Sequence, residues 1–386
     1  MTSAASHHLY VHVPFCRLVC AYCDFVTVGG RSADVPRYVD ALVAEIGLRP
    51  SPGELRTISF GGGTPSLLTP GQVAQVLDAA TDQWEDVALE EVALEANPSG
   101  RERPDWAGLR VAGVTRISLG VQSLRDADLV ALARGHDATE ARDAYAAARS
   151  AGFASVSLDL IYGIPGQGVA DWGEGLRAAI ELGPDHVSCY ALQLVLAPDE
   201  WSATPRRGAI RWRHRMAALQ DDAIAAEQYG LAEAMLDEAG YRHYELSSWA
   251  RPGHESRHNG AYWARRPYTG VGAGAHSFDG SGERSWNTGE LDAYLAAVEA
   301  GEPVPGGTDP LDEPLRAFEA MALGLRRIDG VERDSFADEF GNDPLERWEH
   351  VKLDLLEVTP QRVRLTPQGR LFASEACLPF LPAAAG

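Results

Sequence analysis

The sequence predicts an α/β protein, a parallel sheet of six strands, closed or partly closed, followed by a small winged-helix-like α+β module. Three observations predict it. Short apolar runs alternate with helical patterns over the first 194 residues; the polar residues within those runs collect at their C-terminal ends; and beyond residue 310 the pattern changes to short helices and a hairpin. With 386 residues and 45% hydrophobic content, the chain can bury one barrel-sized core and a smaller companion.

Strands are expected at residues 9–13, 57–60, 87–95, 116–121, 156–161 and 186–194, each rich in Val, Ile, Leu and aromatics and mostly bounded by Gly, Pro or Asn. Helical patterns fill the intervals at 35–48, 70–84, 103–111, 126–151, where Gly135 allows a break, and 171–182. Parallel neighbours require such crossovers. A sheet of this kind carries its chemistry in the loops after the strand ends, and polar groups gather there. A cysteine loop follows the first strand, Gly61-Gly-Gly-Thr-Pro65 the second, Glu95 ends the third, Gly120-Val-Gln122 the fourth and Asp159-Leu-Ile-Tyr-Gly163 the fifth.

The cysteine loop reads His12-Val-Pro-Phe-Cys-Arg-Leu-Val-Cys-Ala-Tyr-Cys-Asp-Phe25. Cys16, Cys20 and Cys23 can hold three corners of a cubane iron–sulfur cluster and leave the fourth iron open to a substrate or cofactor. A structural zinc knuckle would want a fourth Cys or His nearby. Here Phe25 stands two residues on, while Cys189 and Cys377 lie in distant segments. A zinc knuckle, or three unconnected thiols, is the plainer alternative. At the other strand ends, Glu95 can bind an ammonium or hydroxyl, or pair with Arg116. Gln122 and Asp159 suit ribose hydroxyls, or satisfy loop backbone. Arg134 can meet a carboxylate, or sit at a solvated helix end.

Five cysteines, an odd number, argue against a disulfide framework and agree with a reducing compartment. No stretch is apolar enough to span a bilayer and no signal-peptide pattern opens the chain, so a cytoplasmic location is expected. A net charge of −21 argues against a nucleic-acid surface and against anionic lipid.

The segment Tyr10-Val-His-Val-Pro-Phe-Cys16, the three cysteines, Gly61–Pro65, Glu95, Gln122, Arg134 and Asp159–Gly163 together resemble the oxygen-independent coproporphyrinogen oxidase family of radical S-adenosylmethionine (SAM) proteins. The resemblance covers most of the chain. It implies a partial (β/α)6 TIM-like barrel, a [4Fe–4S] cluster on Cys16, Cys20 and Cys23, and SAM chelating the open iron, from which one-electron reduction would release a 5′-deoxyadenosyl radical. It also implies that Tyr10, Tyr22, Gly63, Thr64, Glu95, Gln122, Arg134 and Asp159 line SAM. Two departures point to one branch: the oxidases carry a further Cys where Phe25 stands and a longer segment before the cluster motif, whereas fifteen residues precede Cys16 here. Both resemble the HemW-type haem chaperones, as does His258-Asn-Gly-Ala-Tyr-Trp263, which matches the HNxxYW motif associated there with haem.

An imidazole can coordinate haem iron, Tyr262 and Trp263 offer flat apolar surfaces, and Arg265 and Arg266 can pair with propionates. The alternative is a surface loop with an aromatic anchor. His258 is the expected haem contact. His276, in Gly272-Ala-Gly-Ala-His-Ser-Phe278, is the second candidate for axial ligand. Arg206, Arg207, Arg211, Arg213 and Arg215, with Trp201 and Trp212 among them, form a basic island that reads first as a solvated helix start. After about Ala250 the composition suggests a loop-rich joint. Beyond it, helices at 315–325, 331–340 and 344–355 and a hairpin of 356–358 with 362–365 make the final module, where an acidic excess argues against DNA.

The expected divisions are residues 1–240, 241–310 and 311–386. The expected function is a haem chaperone that carries a [4Fe–4S] cluster and SAM and passes haem to an acceptor protein, with no catalytic residues assigned and the oligomeric state, a homodimer included, left open. The alternatives are an oxygen-independent coproporphyrinogen III oxidase and a radical SAM enzyme acting on another substrate.

Overall fold

The computed structural model describes residues 6–194, 207–349, 351 and 353–382; Trp201 and Arg206 of the basic island lie outside these. Six parallel strands, β1 (Ser6–Val13), β2 (Glu54–Gly62), β3 (Asp86–Ala96), β4 (Arg116–Gln122), β5 (Ser155–Tyr162) and β6 (His186–Ala191), lie side by side in sequence order. Between them run α1 (Val35–Leu48), α2 (Pro70–Gln83), α3 (Trp106–Val111), α4 (Asp126–Ala131), α5 (Ala138–Ser150) and α6 (Val169–Leu182). Each expected strand is present, mostly longer by a few residues. The expected long helix at 126–151 is two helices, because Ala133 turns left-handed at φ 53° and Asp137 then starts α5 with a capping box to Glu140. The helix expected from residue 103 begins at Trp106, where the Asp105 carboxylate caps the Gly108 amide.

Strands flanked on both sides bury both faces. Leu9, Val11, Val13, Ile58, Phe60, Leu94, Ile117, Leu119 and Leu158 are solvent-free and form one continuous core with the inner faces of the helices. Register then decides what meets at the open end. His12 lies opposite Gly61, Glu95 opposite Ser118, and Asp159 opposite Ser188, so polar residues far apart in sequence share one rim. A bulge between Leu119 and Gln122 throws Gln122 into a left-handed conformation at φ 68°.

The sheet extends past these six strands on both sides. β7 (Arg242–Glu245) and β8 (Ser248–Ala250) add an antiparallel pair beside β6. On the opposite side β9 (Tyr268–Val271) pairs parallel with β1, followed by β10 (His276–Phe278), β11 (Glu283–Asn287) and β12 (Gly306–Pro310). The twelve strands run β12-β11-β10-β9-β1-β2-β3-β4-β5-β6-β8-β7, an open, partial barrel. The segment expected as a loop-rich joint is therefore largely strand. Its strands are three to five residues long, too short for an alternating pattern to register.

Four further helices of the described residues complete this body: α7 (Arg207–Ala217), α8 (Asp222–Glu238), α9 (Arg257–Trp263) and α10 (Leu291–Ala300), the last packed on α1. The final module has its own core of Met321, Leu325, Phe336, Trp348, Val363 and Phe380. It comprises α11 (Glu313–Gly324), β13 (Val331–Glu332), α12 (Arg333–Phe340), α13 (Pro344–Arg347), the hairpin β14 (Leu356–Val358) and β15 (Arg362–Leu365), and short terminal helices. The hairpin falls where expected. The helix expected over 344–355 stops at Arg347, and the residues expected to open the second helix form β13. The module faces α9: the Arg326 guanidinium lies 4.4 Å over the Trp263 ring, and Arg265 bonds Glu339 at 2.9 Å.

Candidate cofactor rim and adjoining groove

The cluster loop leaves β1 at the rim and is held from three directions. The Thr64 hydroxyl approaches Cys16 Sγ at 3.5 Å. Arg134 donates to Cys20 Sγ at 3.0 Å and to the Tyr22 hydroxyl at 3.1 Å, while its other terminal nitrogen donates to Asn97 at 2.7 Å and to the Gly120 carbonyl at 3.0 Å. Arg213, from α7, donates to the carbonyls of Ala21 and Cys23, each at 2.7 Å, and pairs with Asp24. Arg134 is thus an interior anchor and not a solvated helix end. Arg213 belongs to the island that read as solvated; nothing in its local sequence marks a partner 190 residues away.

Among the described residues no three His, Cys, Asp or Glu side chains converge on a single ion. A cubane asks something else, one thiolate for each of three irons, and three thiols in one short loop fit that demand. Burial pushes the Cys16 thiol up to about 11 and Cys23 to about 12, so cluster assembly must displace their protons.

The glycine run wraps this loop. Gly62 sits at φ 107°, and a Cβ there would fall 2.5 Å from the His12 ring, so only glycine permits the approach. Its amide donates to Glu95 Oε2 at 3.2 Å. A Cβ on Gly61 would meet the Tyr10 ring at 2.9 Å and Glu95 Oε1 at 3.1 Å, which places Tyr10 and Glu95 on either side of that loop. Glu95 is touched by solvent yet walled by protein, as is Tyr190 at the end of β6, because both face the hollow of the open barrel. Burial, with Asp159 nearby, pushes the Glu95 carboxyl up to about 7. Asp159 is likewise raised by burial and accepts from the Ser118 hydroxyl at 2.8 Å. Arg116, the alternative partner for Glu95, instead lies 3.7 Å from Glu91 and donates to the His254 carbonyl. Contacts therefore tie Thr64 to Cys16, Arg134 to Cys20 and Tyr22, Tyr10 and Glu95 to the glycine run, and Asp159 to Glu95 along one rim; the Gly63 amide donates to the Val13 carbonyl at 2.8 Å, and Gln122 ends β4.

Beside Tyr10 the rim continues into a groove. A hollow of about 300 Å³ is lined by Tyr10, His12, Phe25, Tyr262, Tyr268 and His276. A second, of about 200 Å³, shares Tyr262 and Tyr268 and continues to Trp263, Arg266, Phe278 and Arg284. The two shared tyrosines stand edge to face, 4.7 Å apart. Phe25 is 68% exposed at the mouth. His258 is not on the groove wall. It is 1% exposed; its Nδ1 bonds Thr57 at 2.7 Å, its Nε2 bonds the Tyr262 hydroxyl at 2.8 Å, and burial lowers its pKa to about 3. The expected haem contact therefore lies behind the groove, bonded to Tyr262 and with its ring 6.4 Å from that of Tyr10. Thr57 and Glu91, which bonds the His258 amide at 3.0 Å, were not picked out as site residues, although a hydroxyl inside an apolar strand is itself a signal.

The radical SAM superfamily model matches residues 10–179, and the HemN C-terminal domain model matches residues 311–372. The heme chaperone HemW of Mycobacterium tuberculosis is 39% identical over 95% of this chain and 92% of its own length; that of Bacillus subtilis is 32% identical over 96% and 98%. The chain belongs to the HemW-type haem chaperone family. A mitochondrial radical SAM domain-containing protein 1 of Bos taurus is 36% identical over 84% of this chain and 74% of its own. Coproporphyrinogen III oxidase (HemN) from Escherichia coli superposes with a TM-score of 0.81 over 98% of this chain and 90% of that one at 22% identity, a likeness of fold. Membership in the HemW-type family accounts for both modules at once, since the barrel and the C-terminal module each match. Among the described residues no helix is long and apolar enough to cross a membrane.

Proposed function

We propose that this protein binds haem and delivers it to an acceptor protein, and that it carries a [4Fe–4S] cluster on Cys16, Cys20 and Cys23 with SAM in the hollow above. Cys16, Cys20 and Cys23 would hold the cluster, which with SAM would supply one-electron chemistry when bound. The rim side chains do the rest. Arg134 and Arg213 hold the loop, Thr64 supports Cys16, and Tyr10, Tyr22, Gly63, Glu95, Gln122 and Asp159 surround the nucleoside.

One observation carries the haem reading: the groove beside the rim is walled by tyrosine, tryptophan and phenylalanine rings and edged by arginine, the surface a flat apolar macrocycle with two propionates requires. Ligand clefts commonly enclose about 300–1,000 Å³, a size the two joined hollows reach together. His258 acts here from behind, fixing Tyr262 through Nε2. The acceptor is another protein, and location in the cytoplasm follows from the reduced state that the thiols need.

The test is an anaerobic optical titration of cluster-reconstituted protein with haem. Saturation near one haem per chain is expected. No saturable binding, together with stoichiometric conversion of coproporphyrinogen III and SAM to protoporphyrinogen IX and 5′-deoxyadenosine, would replace the chaperone reading with the oxidase.

A further inference from the structure

The geometry points to His276, and not to His258, as the side chain that coordinates the haem iron, with the macrocycle laid across the paired hollows and a propionate on Arg266. This rests on the haem reading above and adds the atom that binds the metal and the cation that anchors the edge.

Coordination needs an imidazole nitrogen with a free lone pair facing a space large enough for the ring. His258 offers neither, since both nitrogens are hydrogen-bonded and the ring is buried behind Tyr262. His276 offers both. It is exposed, it lines the larger hollow, and neither of its ring nitrogens is hydrogen-bonded to another described residue. Its ring stacks on Trp286, centroids 6.0 Å apart and planes 27° from parallel, so its plane is set while its nitrogens stay unengaged.

The backbone beneath it is fixed. The Gly272 amide donates to the buried Glu45 carboxylate at 2.8 Å, the Ala273 amide to the Tyr38 hydroxyl at 2.9 Å, and the Gly274 amide to the Thr288 carbonyl at 2.8 Å. A Cβ on Gly274 would sit 2.8 Å from Val26, so this loop lies hard against the cluster loop. A ligand on a rigid turn with a free ring is preorganised, and binding spends little on ordering it.

The arginines of the groove sort in the same way. Arg265 is bonded to Glu339 and Arg284 to Glu319, each at 2.9 Å. The Arg266 guanidinium is exposed and, among the described residues, has no hydrogen bond or ion pair. It lines the smaller hollow, which shares Tyr262 and Tyr268 with the larger hollow that His276 lines.

The experiment is a titration of the full chain with ferric haem, read by the Soret band and by electron paramagnetic resonance, for the wild type, His276→Ala and His258→Gln. The wild type should show an imidazole-ligated iron. His276→Ala should lose that signature and bind about tenfold or more weakly, and added imidazole should restore the signature. His258→Gln should keep it; far-ultraviolet circular dichroism checks that each variant is folded. An unchanged spectrum in His276→Ala, or loss confined to His258→Gln, overturns the assignment while the haem reading stands. A wild type that binds no haem overturns both.

Discussion

The rim and the groove share Tyr10 as a border, yet they treat polar groups in opposite ways. At the rim side chains answer one another: Arg134 is spread over Cys20, Tyr22, Asn97 and Gly120, Glu95 takes the Gly62 amide, and Asp159 takes the Ser118 hydroxyl. In the groove bonded groups such as Arg265, Arg284 and His12 stand beside two left open, His276 and Arg266, which are unbonded among the described residues, and Phe25 is exposed. A site that holds a resident cofactor gains from a rigid, mutually bonded shell. A site that must take up and surrender cargo gains from groups whose partners arrive with the ligand, because release then returns them to water at little cost.

The sharpest break in this comparison is at the cluster itself. Cys20→Ala should abolish the visible absorption of the reconstituted cluster; an intact spectrum in that variant would remove the ligand assignment and with it the view of the rim as a resident-cofactor shell.

Acid should come next. Burial holds His258 near 3 and His7, His8 and His136 near 4, all below the value of about 6.5 for a free imidazole. The folded chain therefore binds fewer protons than the unfolded one between pH 6.5 and about 3–4, so stability is full above pH 6.5 and falls as pH drops through that window. Each histidine contributes about 1.4 kcal/mol per pH unit across it. Glu95 has the opposite sign, since its raised carboxyl costs stability as pH rises from about 4.5 to 7. Asp159 and Glu102, also raised by burial, share that sign, but the four histidines outnumber the three carboxyls, so urea unfolding should give a midpoint that drops from pH 6.5 to 4.5. A flat profile would contradict the buried network of His8, Thr57 and His258.

A smaller effect distinguishes holding from ligation. Arg213→Ala removes two bonds from a charged donor to loop carbonyls, each worth about 1.5–3 kcal/mol, while leaving all three thiols. The cluster should form but be stripped faster by a chelator, and equal stripping rates would show that Arg134 and Thr64 suffice. The least expected effect is in the groove: Arg266→Ala removes one exposed cation, worth about 1 kcal/mol or roughly fivefold in haem affinity. The loss should shrink in high salt and vanish with a haem dimethyl ester, whereas loss that persists with the ester would assign Arg266 a packing role.

Legibility in the sequence followed sequence distance and element length. Cys16, Cys20 and Cys23 are eight residues from end to end and declare themselves by spacing; the six parallel strands declare themselves by apolar runs long enough to repeat. The strands β9 to β12 did not, because three to five residues are too few to carry a period. His258 was picked out by its motif, and the motif is silent on whether a ring nitrogen is free.

What the sequence determined by itself is local: the cysteine spacing of the first loop, the order of strands and crossovers along the chain, and a glycine run that permits close backbone approach. What only the tertiary structure decided is pairing across the sheet. Strand register sets Glu95 near Asp159, Thr57 lies between His8 and His258, and Glu45 takes the Gly272 amide at the base of the loop that carries His276. The physical reason is that a hydrogen bond is spent where its partner arrives, and partners separated by some two hundred residues are brought together only when the core packs.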